Sequence, residues 1–395
     1  MMFSLLLWAP MVSAQDFVTE IGEVVALERG ANWVRTFPKD DDTWWLTLGL
    51  GGDYGVTTIT KDLVWDEKGL VGLTGRTYLI DNAIMRCSDG TYFHAASASL
   101  DQPNDSAYAF GYAEDWSLLH EGAVEERVSG TAHNDMALLC GGDHRLVAFS
   151  SMGGSIFHHV DKSGTITKKT TSPDIKFING GGMLHDPETG GVLLVTNGQN
   201  SNTLYLYELD AELAVVERRD LEFAPSGQRA YWPQGFIRVN EHFVVVGMAR
   251  SDSAGWSQDT GDVWLAVLDK DFQVVETHQV TQFEVPEGAM RPSVSRNGDT
   301  LLVTFDRLVR PNFVKVTIDL KAFGLDGGGS PGDTDLPADD SAPGGDDTSG
   351  GGGDKGDGGG GCGGCATGSG GVSALAALMG LAAVWRRRSG GVEPR

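Results

Sequence analysis

Positive charge is scarce in this sequence: 30 Lys and Arg stand against 54 Asp and Glu in 395 residues, a formal net charge of −24. Residues 1–325 alone carry −19. A body that acidic repels phosphate backbones, which disfavours nucleic-acid binding. The chain also has no HExxH, no paired CxxC and no Walker loop, and its GxSxG match, GGSPG (328–332), lies in the Gly/Asp-rich segment that cannot pack a core. The familiar signatures of zinc hydrolysis, zinc ribbons, phosphate loops and serine hydrolases are therefore missing from the body, and neither a metal nor another cofactor is expected. Only the Asp/Asn-rich loops 100–106 and 251–262 offer oxygen ligands of the kind calcium takes, and neither matches a full calcium-loop pattern.

Long apolar stretches of helical period are lacking between Val24 and Leu320. What is there instead is a succession of four- to eight-residue runs rich in Val, Leu, Ile and aromatics, separated by Gly, Asp and Asn, which reads as all-β. With 41% hydrophobic residues the body is able to bury a core. Self-similarity is visible: LYLYELDAELAVVERRDL (204–221) matches VWLAVLDKDFQVVETHQV (263–280) as strand, Asp-bearing turn and strand. Weaker copies mark turns at Asp62, Asp115, Ser163 and Asp319, which join Glu212 and Asp271 at spacings of 53, 48, 49, 59 and 48.

Six copies at about fifty residues suit the four-stranded blades of a propeller. The sixth copy runs out of sequence after its third strand, whereas an unassigned strand, GEVVALERG (22–30), precedes the first. The expected fold is a six-bladed β-propeller over residues 15–325, with this N-terminal strand completing the last blade so that no edge is left open. Five or seven blades, or a pair of β-sandwiches, are the alternatives.

Cys87 and Cys140 occupy equivalent positions on neighbouring inner strands, each five residues after Asn82 and Asp135. An oxidising compartment would allow a disulfide between them; two buried thiols are the alternative. In a propeller, the loops opening the inner strands surround one mouth of the central channel. The residues so placed are Arg35, with Asn32 and Trp33; Asn82; His133 and Asp135, with Asn134; Asn179; Tyr231, Trp232 and Gln234; and Arg291, with Met290. A polar ring with aromatic members suits sugars or peptides, the Trp rings stacking on a sugar face. Strand-opening Asn, Asp and His also commonly bond turn amides. Two function classes follow: a binding module for a glycan or protein, or a glycan-active hydrolase. The latter needs two carboxylates roughly 5–10 Å apart, with Asp135 and either Asp53 or Asp306 as candidates.

Both ends carry targeting features. The apolar run Phe3–Val12 ends in Val12-Ser13-Ala14, so residues 1–14 read as a signal peptide and the mature chain begins at Gln15; a buried strand is the alternative. The Gly/Asp-rich spacer 326–365 includes Cys362 and Cys365. A hydrophobic segment and Arg cluster (366–388) follow, long enough to cross a bilayer as a helix, and then a short tail, 389–395. The order of spacer, CGGC, short apolar helix and Arg386-Arg387-Arg388 resembles the MYXO-CTERM sorting signal of myxobacterial surface proteins. That resemblance implies export, a dedicated sorting protease, lipid attachment at Cys362 or Cys365, and display on the outer envelope. The cysteines are further apart than in many members. A plain C-terminal membrane anchor is the alternative. WVRTFP (33–38) resembles the early Arg motif of sialidases, themselves six-bladed propellers, but the S-x-D-x-G-x-T-W boxes of that family are absent.

Overall fold

The computed structural model describes residues 16–325 apart from 51–52, 76–78, 99–105, 127–130, 142–143, 152–153, 176–179, 187, 198–201, 252–260 and 284–287. The side chains of 79–81, 98, 106, 125–126, 131–135, 144 and 150–151 also lie outside the description. The described residues all belong to one compact unit, Met1–Asp340. The signal peptide, spacer, hydrophobic segment and tail expected at 1–14, 326–365, 366–388 and 389–395 lie outside them. Among the described residues no helix is long and apolar enough to cross a membrane.

The alternating runs form six small antiparallel sheets, the blades of a propeller, each a meander of consecutive strands. Blade 1 holds Asn32–Asp40, Thr43–Gly49, Tyr54–Thr60 and Val71–Gly72; blade 2 holds Leu79–Arg86, Tyr92–Ala98, Ser106–Tyr112 and Leu118–Glu126. Blade 3 holds Thr131–Gly141, His144–Ser151, Gly154–Val160 and Ile166–Ser172; blade 4 holds Gly182–His185, Val192–Asn197, Thr203–Leu209 and Val215–Glu222. Blade 5 holds Gln228–Val239, His242–Ser251, Asp262–Leu268 and Val274–Gln279; blade 6 holds Met290–Asn297, Thr300–Arg307 and Arg310–Ile318.

Among the described residues the apolar side chains gather in seven clusters; the six larger ones each belong to two neighbouring blades, and the smallest is Tyr231, Trp232 and Met248 of blade 5. Phe93 and Ala109 of blade 2 meet Leu138 and Phe149 of blade 3; Leu206 of blade 4 meets Phe236 of blade 5; Leu46 of blade 1 meets Leu302 and Phe313 of blade 6. Sheet alternation explains this, because successive side chains point to opposite faces and each face has only the next blade to pack against.

The repeat seen in the sequence is a shared turn between third and fourth strands. Leu63, Trp116, Gly164, Leu213 and Phe272 occupy the same left-handed position, with φ of 61°, 66°, 84°, 66° and 59°. In blades 3 to 5 the residue opening the turn is Asp161, Asp210 or Asp269, and its carboxylate accepts from the amides two and four residues on, at 2.8–2.9 Å. Leu63, Trp116 and Leu213 are buried there, so packing offsets the strain of the conformation. The sixth marker, Asp319, opens its turn instead of sitting third in it, accepting from Lys321 N–H at 2.9 Å.

The N-terminal strand closes the ring, and it begins earlier than expected: Val18–Ile21 pairs antiparallel with the third strand of blade 6 (Val18↔Ile318, Ile21↔Val316), and Val25–Ala26 continues the pairing to Phe313 and Asn312. Phe17, just ahead of it, packs on His242 and Phe323 at centroid distances of 4.8 and 4.9 Å, which anchors the extension. Cys87 and Cys140 are joined in a disulfide with Cα atoms 4.9 Å apart, tying blade 2 to blade 3.

Two measurements test these ties. A chain starting at Asn32 loses the clasp together with buried Val18 and Leu27, each worth roughly 1.5–3 kcal/mol. It should melt several degrees below a chain starting at Gln15 and form oligomers through the exposed edge; equal melting and equal monomer fractions would show that another element closes the ring. Replacing Cys87 and Cys140 by Ala should cost about 4 kcal/mol, as expected for opening a loop of this length, read from denaturant midpoints with and without reductant.

Candidate binding site at the channel mouth

The mouth is built from strained backbone. In blades 1, 5 and 6 the inner strand opens with a bulge that puts a non-glycine residue in the left-handed region: Trp33 (φ 55°), Trp232 (φ 46°) and Arg291 (φ 53°). Such residues cost energy unless their surroundings fix them. Here side chains ending the second strand of the preceding blade do so in two cases. Trp33 N–H donates to Asp306 Oδ2 at 3.0 Å, and Trp232 N–H donates to Asn197 Oδ1 at 3.0 Å.

The bulges turn the two indoles inward. Trp33 is 2% exposed and Trp232 6%, so neither offers its ring to a sugar, contrary to the expectation from their position. The guanidinium of Arg291 covers them instead, 4.0 Å from the Trp33 ring and 5.8 Å from that of Trp232. Arg291 Nη1 also donates to Asp306 Oδ2 at 3.3 Å. Arg291 keeps 19% of its side chain exposed and is the charged group this cluster presents to solvent.

Asp306 is the hub of the cluster and is 1% exposed. Its Oδ1 is buried with no hydrogen-bond partner. Burial pushes its carboxyl above the usual carboxylate range, and Arg291, the Trp33 amide and Arg35 only partly oppose that. Tyr54, wholly buried alongside, donates to Trp33 O at 2.7 Å and is pushed up to about 12 by desolvation.

Below this layer a polar bar crosses the channel. Arg35 Nη1 donates to Val34 O at 2.8 Å and to Arg291 O at 3.4 Å, and Nη2 donates to Gln234 Oε1, so blade 1 reaches past blade 6 to blade 5. Gln234 in turn lies against Gly180 of the segment opening blade 4, where a Cβ would come within 2.2 Å of its Nε2. The positive φ of Gly180, 68°, and this contact both call for glycine. Under the bar the inner strands of all six blades enclose a cavity of about 160 Å³. Its walls include Met85, Met136, Met183, Leu138 and Phe236, with Arg35 and Gln234 at the mouth side.

Of the residues expected at the mouth, Arg35, Trp232, Gln234 and Arg291 come together as described. Tyr231 is buried; its ring lies under Arg250 at 4.7 Å and its hydroxyl accepts from Arg250 Nη2 at 3.3 Å. Asn82 is buried, and its Oδ1 accepts from His94 Nε2 at 2.9 Å. His94 is enclosed between blades and held down to about 3 by burial, so it stays neutral. His133 and Asp135 lie on the inner strand of blade 3, their side chains outside the described residues, as are Asn179, Cys362 and Cys365. The acidic loops 100–106 and 251–262 fall almost wholly outside as well. Among the described residues no three His, Cys, Asp or Glu side chains gather in a way that could hold a metal. Sequence reasoning missed the anchoring roles of Asn197 and Asp306. The shared strand ending of LLVTN (193–197) and LLVTFD (301–306) was the available signal.

No family model matches the chain, and no curated protein matches it. Solved structures similar in fold include a glucose dehydrogenase (11% identity, 76% of this chain and 99% of that one, TM-score 0.44). A lectin of Aleuria aurantia in complex with alpha-methyl-L-fucoside shares 11% identity over 80% of this chain and 99% of its own, TM-score 0.42. An endo-1,4-beta-xylanase from Bacteroides thetaiotaomicron shares 11% identity over 61% of this chain and 95% of its own, TM-score 0.40. Likeness at this level bears on neither ligand nor activity.

The raised pKa of Asp306 gives a signed prediction. A carboxyl that holds its proton more tightly when folded contributes stability below its unfolded pKa and loses that contribution as pH rises through its folded pKa. Asp306→Asn keeps an acceptor for Trp33 N–H and removes the titration. The stability of this variant minus that of the parent should therefore shift in the variant's favour from pH 4 to pH 8. A difference that is flat with pH, or that moves the other way, would mean that the carboxyl is held as a well-stabilised anion.

Proposed function

We propose that this protein is an exported, surface-displayed binding propeller that engages a glycan or protein at the channel mouth. The observation that carries the reading is Arg291, a guanidinium braced on two buried indoles and one buried carboxylate, with its remaining surface turned to solvent. A cation so held loses little side-chain entropy when it binds an acceptor, which makes it a good recognition group and a poor structural one. Gln234 and Arg35 extend the same donor surface inward.

Hydrolysis by facing carboxylates has less support. Asp53 Oδ1 is occupied by Tyr54 N–H at 2.7 Å, by Thr74 N–H at 3.1 Å and by the Thr74 hydroxyl, and Asp306 is buried under Arg291. Among the described residues, therefore, Asp306 is buried away from solvent and Asp53 has one carboxylate oxygen committed to its own turn.

Export and anchoring rest on the terminal sequences, and the Cys87–Cys140 disulfide is the kind of bond an oxidising compartment preserves. In this reading, a sorting protease acts near Cys362 or Cys365, and lipid or helix holds the propeller to the outer envelope.

Two experiments test the proposal. Mass spectrometry of the mature protein should find a chain beginning at Gln15 and lacking VWRRR; an intact Met1 start with an unprocessed Arg395 in a cytosolic fraction would overturn the address. Glycan and peptide arrays probed with the full chain should yield ligands whose binding falls at least tenfold in Arg291→Ala. Ligands indifferent to Arg291 and Gln234 would move the site elsewhere.

A further inference from the structure

We infer that the channel cavity takes an apolar carboxylate, its hydrocarbon body seated among the channel methionines and its carboxylate on Arg86. The inference rests on the reading of the propeller as a binding module and names the chemistry that its channel would accept.

The walls argue against a sugar. Met85, Met136, Met183, Leu138 and Phe236 present apolar surface. Of the hydroxyls present, those of Thr36 and Ser295 satisfy each other at 2.7 Å across blades 1 and 6. A cavity of about 160 Å³ lined in this way resembles, in size and character, the apolar cavities of roughly 150 Å³ that admit a benzene ring. Methionine walls adapt to an occupant's shape because the side chain is unbranched and polarisable.

One feature of the lining points to an anion. Arg86 ends the inner strand of blade 2, four residues beyond Asn82, or about 13 Å further from the mouth at the rise of a strand. It lines the cavity, and its Nε is buried without a hydrogen-bond partner. Its ion pair runs from Nη2 to Glu114 at 3.5 Å, and that carboxylate is 77% exposed. A buried, unanswered N–H is costly, and an occupant supplying an oxygen would remove the cost. A carboxylate matches the planar edge of a guanidinium, whereas a phosphate would bring a second charge into walls with few donors to meet it. The same chemistry occurs in a free short-chain acid and in the C-terminal residue of a peptide.

The test uses the full chain with 13C-methyl methionine, titrated with straight-chain acids from butanoate to octanoate and with the primary alcohols of equal length. Met85, Met136 and Met183, assigned through Met→Leu variants, should shift with the acids. Affinity should rise roughly fourfold per methylene until the cavity is filled, and alcohols should bind at least tenfold more weakly. Arg86→Gln should remove the advantage of the acids while leaving alcohol binding within twofold.

Alcohols binding as well as acids to the parent chain would overturn the anion site whether or not the variant folds. Titrations that leave the three methyls unmoved would overturn occupancy of the channel. A second series with peptides ending in Leu, as free acid or amide, assigns the source: binding by free-acid peptides alone points to a chain end, and binding by the simple acids alone points to a small metabolite. An array ligand that depends on Arg291 but leaves the methionines unmoved would keep the binding-module reading and refute this one.

Discussion

Every apolar face in this fold depends on a neighbouring blade. A single four-stranded sheet is too thin to bury itself, so each of the six larger clusters is an interface, and the last interface exists only if the ring closes. The clusters joining blade 6 to blade 1, through Leu302, Phe313 and Leu46, and blade 5 to blade 6, through Val244 and Val303, depend on residues far apart in sequence. Pairing Val18–Ile21 with the strand that ends at Ile318 holds the two ends of the chain in one sheet. The strand also covers an edge, since the third strand of blade 6 would otherwise face solvent with unpaired amides.

The mouth is a by-product of the same geometry. Where an inner strand begins, the chain must cross from the outer edge of one blade to the centre of the next, and in blades 1, 5 and 6 it does so through a left-handed residue. Asp306 and Asn197 end second strands, pointing across the gap to the next blade, and so are placed to receive the amides that this crossing exposes. One buried carboxylate thereby performs two tasks. It fixes the bulge at Trp33 and it orients Arg291, joining the last blade to the first at the point where recognition is proposed. The cost is visible in its unanswered Oδ1 and in the upward pressure on its pKa.

Periodicity carried the architecture. Alternation identified strands, the Asp-bearing turn gave the repeat, and counting strands in the sixth unit required the N-terminal strand to complete it. The cysteine pair was legible because equivalent positions in adjacent repeats are neighbours in a ring. Side-chain direction was not legible. Trp33 and Trp232 occupy strand-opening positions whose neighbours suggested exposure, yet a left-handed φ at each rotates the indole into the interior. Asn82 occupies the corresponding place in blade 2, but the adjacent His94, shut between blades, needs an acceptor and takes it. These outcomes depend on contacts between blades about fifty residues apart, and no local pattern encodes them.

Net charge and site charge also separate cleanly. Several of the acidic side chains sit on outer turns: Asp161, Asp210, Asp269 and Asp319 each accept turn amides there. Their fields there are screened within about 8 Å at physiological salt. Arg35 and Arg86 instead line one channel, with Arg291 at its mouth, where partial burial lessens the screening of their charge. An acidic surface that disfavours nucleic acid is therefore compatible with the small anion proposed for the channel. Composition sets the surface charge, whereas the arginines near the channel, 51 and 205 residues apart, meet only when the blades assemble.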